Sequence, residues 1–89
     1  MENNFDLVWE RIKEHEGETF TQIKGKKFTY EVQGNSLKPN TVNRIIPNSE
    51  IKKALNFVPL PNTVVIHNLQ APSYLYAILM DKRIRENLW

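Results

Sequence analysis

FTQIKGKKFTYEVQGNSLKP, residues 20–39, decides the fold. In its middle Phe28, Tyr30 and Val32 alternate with Thr29, Glu31 and Gln33. That period of two sends successive side chains to opposite faces of a sheet. Phe20 to Ile23 supplies a partner strand, and Gly25 in the Lys24–Lys27 link is free to take positive φ, so the two runs read as an antiparallel hairpin. Gly34 and Asn35 form a second turn signal, after which Ser36, Leu37 and Lys38 make a short strand ended by Pro39.

On the N-terminal side the period changes. Phe5, Val8, Trp9 and Ile12 recur at helical spacing, while Asp6, Glu10, Arg11, Lys13 and Glu14 fill the opposite face. Asn3 or Asn4 is placed to cap this helix and Gly17 to end it, and Trp9 reads as a core anchor. On the C-terminal side, Thr41 to Ile46 is rich in β-branched residues and is expected to add a strand stopped by Pro47. Asn48 or Ser49 then caps a second helix that turns Ile51, Ala54, Leu55 and Val58 inward and is ended by Pro59 and Pro61. Val64 to Ile66 has the composition of a short strand. A third helix is expected from Ser73, its N-cap, with Tyr74, Ala77, Ile78, Ile84 and Leu88 available for burial, and Asp81, Lys82 and Arg83 interrupt its apolar face, the mark of a break or a reorientation there. The expected fold is α+β, a small mainly antiparallel sheet packed by about three helices.

Eighty-nine residues suit one domain, 1–89, because so short a chain has apolar material for one core only. With 40% hydrophobic and 25% charged residues it is too apolar to be disordered. It has no cysteine, which rules out disulfides and thiolate metal sites and points to a reducing compartment, the cytoplasm. The opening residues lack the pattern of a signal peptide, and no apolar run nears the roughly 20 residues of a membrane helix, so no membrane partner is expected.

Charge is unevenly distributed. The net value is +2, yet residues 1–18 sum to −4 and the rest to +6. An acidic helix beside a basic surface that meets phosphates fits this pattern, and so does a mixed surface whose parts neutralise one another.

Catalytic patterns are sought without success. His15 and Glu16 open like a zinc-protease motif, but Thr19 stands where the second histidine belongs. No serine lies in a nucleophile elbow, and the three glycines build neither a phosphate loop nor a dinucleotide fingerprint. Glu50 and Lys52 have the Glu-x-Lys spacing of metal-dependent nucleases, but they begin a helix after Pro47, and a first-turn glutamate stabilised by the helix dipole accounts for them better. No catalytic residue, metal ligand or cofactor is therefore assigned.

Two clusters remain. Lys24, Lys26 and Lys27 gather at the hairpin tip, with Lys38 and Arg44 on neighbouring segments; they are the candidate nucleic-acid contacts, and Tyr30 or Tyr74, if exposed, would stack on unpaired bases. Lysine-rich turns also keep a protein soluble and guard sheet edges. Tyr74, Leu75, Tyr76, Ile78 and Leu79 cover most of a helix circumference, which means either burial on several sides or an offered surface, with Tyr74, Tyr76 and Trp89 as candidate partner contacts.

The segments Phe28–Val32, Asn43–Pro47 running on to Ala54 and Leu55, and Ser73–Leu79 with Asp81 and Arg83 resemble small prokaryotic domains that stand alone or are appended to helicase- or restriction-type enzymes acting on DNA. The resemblance spans about residues 15–85 and brings no catalytic motif. It implies a non-enzymatic accessory module whose partner is nucleic acid or a nucleic-acid-processing enzyme. The alternative is a protein-interaction or homo-oligomerisation module.

Overall fold

The computed structural model describes residues 4–86 and 88–89. Helix α1 spans Phe5–Glu14 and buries Val8, Trp9 and Ile12, the stripe that its spacing marks out, while Phe5 stacks on Trp9 with ring centroids 6.4 Å apart. Asn4 stands at the N-cap with left-handed φ and makes no side-chain cap; the expected alternative, Asn3, lies outside the described residues. At the other end the Tyr30 hydroxyl donates to the Ile12 carbonyl at 2.6 Å, satisfying one of the acceptors a helix end leaves over.

Two small antiparallel sheets follow. In the first, β1 (Phe20–Thr21) pairs with β2 (Lys27–Phe28); in the second, β3 (Tyr30–Gln33), β4 (Ser36–Pro39) and β5 (Ile46–Pro47) lie side by side in that order. The alternation of residues 27–33 runs unbroken through β2 and β3, with Phe28 and Tyr30 buried and Lys27, Glu31 and Gln33 exposed. What changes is the pairing edge. The expected hairpin from Phe20–Ile23 to Phe28–Val32 is thus shorter than the sequence suggests: Ile23 sits in the turn, and Tyr30 to Gln33 pair with β4 instead. The Gly34 turn is as read, with φ +62 at its first central position.

Beyond β4 three expectations are corrected. Only Ile46 and Pro47 of the Thr41–Ile46 region and its stop pair as a strand, and Thr41 uses its side chain to reach the Tyr74 hydroxyl. Helix α2 spans Asn48–Ala54 without a side-chain cap from Asn48 or Ser49, and it ends before Val58. Val64–Ile66 is a single 3-10 turn rather than a strand, because the Asn62 side chain accepts from the Val64 amide at 2.9 Å and turns the chain there.

Helix α3 spans Pro72–Leu79, and Pro72 rather than Ser73 sets its start, since proline brings helical φ to the first turn. The chain then breaks at Asp81, whose carboxylate accepts from the Arg83 amide and caps a fourth helix, α4 (Lys82–Arg85). Helix α1 packs on α2 and α4, and α3 packs on α4 and β1. Trp9, Phe20, Phe28, Tyr30, Leu55 and Ile78 share one apolar core. Among the described residues no helix is long and apolar enough to cross a membrane.

Candidate nucleic-acid interface

Residues 22–26 join strands β1 and β2, with Ile23, Lys24 and Gly25 forming the turn itself. The Gly25 amide donates to the Gln22 carbonyl and the Gln22 amide to the Lys26 carbonyl, each at 2.8 Å, and Gly25 takes φ +93. This is a turn followed by a left-handed residue, a closure that glycine adopts without a Cβ penalty. It leaves Lys24 at the tip, Lys26 at the return and Lys27 opposite Thr21, all three exposed on one short ribbon beside an exposed Ile23.

Lys38 lies on β4, half-buried and directly across from Glu31. Arg44 is exposed on the link between β4 and β5. Between residues 19 and 49 these five cations face a single carboxylate, Glu31. None of the five takes part in an ion pair among the described residues; the pairs that exist engage Arg11, Lys13, His15, Lys53 and Arg83. A shallow groove lined by Thr19, Lys27, Phe28, Thr29 and Asn40 runs beside the ribbon, where Asn40 holds Thr29 through its side-chain oxygen and its amide.

The aromatic residues considered for stacking are not on this surface. Tyr30 is buried, and burial pushes its phenol well above the usual range. Tyr74 is only 7% exposed, hydrogen-bonded to Thr41 and set edge-on to Phe28 with centroids 4.8 Å apart. Of the other candidate partner contacts, Tyr76 and Trp89 are half-buried against the core, and the Trp89 indole donates to the Leu79 carbonyl at 3.0 Å. Helix α3 is thus largely interior, burying Tyr74, Leu75, Ala77, Ile78 and Leu79.

The remaining polar groups serve the fold. Glu50 and Lys52 do not converge: Glu50 turns inward to accept from the Gln70 amide at 2.8 Å and pairs with Lys53, whereas the Lys52 amine lies 5.8 Å from the Phe5 ring. The Gln70 amide holds the Glu50 carboxyl below its usual range, against the opposing effect of burial and with help from Lys53. His15 pairs with Glu18, and Glu18 with Arg83. Arg83 also holds both oxygens of Asp81, donates to the Thr19 carbonyl at 2.7 Å and lies 3.9 Å from the centre of the Phe20 ring. In the sequence Asp81 and Arg83 mark a break in a helix and belong to the resemblance, but not a capped ion pair; the usable signal is the acidic residue ahead of a short cationic helical stretch. Among the described residues no group of three or more potential ligands is placed to hold a metal ion. No family model, no curated protein and no solved structure matches this chain.

Proposed function

We propose that this domain is a non-enzymatic accessory module that binds nucleic acid through the β1–β2 ribbon, with Lys24, Lys26 and Lys27 on phosphates and Lys38 and Arg44 extending the contact. The observation that carries the reading is the charge arrangement of residues 19–49, where five cations form no ion pair among the described residues while four of the seven other cations pair with acids. A cation already paired gains little from a phosphate; an unpaired one releases the counterions that the phosphate holds. The resemblance to modules of DNA-acting enzymes supports the same partner class.

The test replaces Lys24, Lys26 and Lys27 together by alanine and follows binding of labelled DNA by fluorescence anisotropy across a salt series. Affinity of the unmodified protein should be modest and should fall steeply with salt. The variant should bind more weakly, with a salt slope flatter by up to about three units, near one per lost phosphate contact. Equal slopes for the two proteins would refute the assignment.

A protein partner is the second reading. It is favoured by one observation: Phe57, Val64 and Val65, close in sequence between α2 and α3, are exposed, with Val64 67% accessible. Sedimentation of a Val64→Ser variant at high concentration checks it, since self-association through these residues would be lost.

A further inference from the structure

The chemistry of the ribbon narrows its ligand. Proteins that hold unpaired strands offer aromatic side chains on which bases stack, worth roughly a tenfold gain in affinity per base. Phe20, Phe28 and Tyr30, the aromatic residues between positions 19 and 49, are each no more than 2% exposed. The basic surface therefore has cations for a backbone and no exposed aromatic ring on which to stack a base. What the tip does offer is Ile23, 52% exposed and flanked by Lys24, in a loop closed by two 2.8 Å hydrogen bonds. A β-branched side chain is stiff about χ1, so this apolar group is held out at little entropic cost on binding.

From these features, and resting on the function proposed above, we infer that the ligand is double-stranded DNA, with the ribbon tip in the major groove and Ile23 against base edges. A two-stranded ribbon fits the major groove of B-form DNA, about 12 Å wide, more readily than the minor groove at about 6 Å. The deep, narrow major groove of A-form RNA excludes it. Ile23 has no hydrogen-bonding group, and the one base-edge feature it complements is the thymine methyl. Lys24, Lys26 and Lys27 then meet the phosphates on either side, and sequence preference is slight.

The test compares the full chain binding to a DNA duplex of mixed sequence, to one of its strands alone and to an RNA duplex of the same sequence, at matched salt. The DNA duplex should bind roughly tenfold more tightly than either competitor. Ile23→Ser, a change at an exposed turn, should keep the far-UV circular dichroism spectrum and weaken duplex binding roughly fivefold. Its salt slope should be unchanged, because no phosphate contact is removed. Equal or tighter binding of the single strand or of duplex RNA overturns the inference and leaves the proposed function standing, as does an unaltered affinity in Ile23→Ser. Binding to none of the three nucleic acids removes both together.

Discussion

Replacing Glu50 tests how this small fold holds its irregular C-terminal half. The carboxylate sits in the first turn of α2 with its side chain 7% exposed, and it accepts from the amide of Gln70, twenty residues on, just ahead of α3. A hydrogen bond to a charged acceptor contributes about 1.5–3 kcal/mol. Lys53 is 61% exposed, so its pair with Glu50 adds under about 1 kcal/mol. Glu50→Ala should therefore cost about 2–3 kcal/mol, and Glu50→Gln, which keeps a neutral acceptor, about 1 kcal/mol. In a domain of this size each kcal/mol lowers Tm by about 4–8 °C. The pH dependence has a definite sign. The folded carboxyl titrates below its unfolded value, near 4.3, so the advantage of the wild type over Glu50→Gln is fully present above that pH and is lost as pH falls through the folded value. Urea unfolding of the three proteins across acid and neutral pH measures this directly. A Glu50→Gln variant as stable as wild type at neutral pH, or a difference that does not shrink in acid, would refute the reasoning.

Tyr30→Phe should cost about 1 kcal/mol in urea unfolding, because it strips the Ile12 carbonyl of its donor while leaving the ring packed. Arg83→Lys should destabilise by about 1–2 kcal/mol in thermal unfolding although charge is kept, since lysine can neither grip both oxygens of Asp81 nor lie flat on Phe20. Replacing Lys24, Lys26 and Lys27 by alanine should shift Tm very little, because all three are exposed and make no ion pair among the described residues.

What the sequence made legible is what periodicity and glycine determine locally. The spacing of Val8, Trp9 and Ile12 gave the buried face of α1, and Gly25 and Gly34 both take the positive φ that their turns require. Misreadings arose where a side chain redirects the backbone or a partner strand is decided at a distance. Asn62 bends the apolar run at Val64 into a helical turn, and no composition rule weighs that single hydrogen bond against three β-branched or aliphatic residues. Tyr30 leaves the β1 pairing and stands opposite Pro39 of β4, while its carbonyl accepts from the amide of Gly17, thirteen residues earlier in the chain. Of the candidate site, the clustering of Lys24, Lys26 and Lys27 was visible from the hairpin alone. The burial of Tyr30 and Tyr74, which removes the stacking role considered for them, depends on α1, α3 and the Thr41 hydroxyl and so had no local signature.

The proposed contact between the lysine ribbon and nucleic acid can be mapped residue by residue. Amide chemical-shift mapping by NMR, with unlabelled duplex DNA titrated into the isotopically labelled protein at low salt, tests it most directly. The largest shifts should fall on residues 22–28, with smaller ones near Lys38 and Arg44, and they should collapse when salt is raised. Shifts concentrated on α3, α4 and Trp89 instead, or none at saturating DNA, would contradict it.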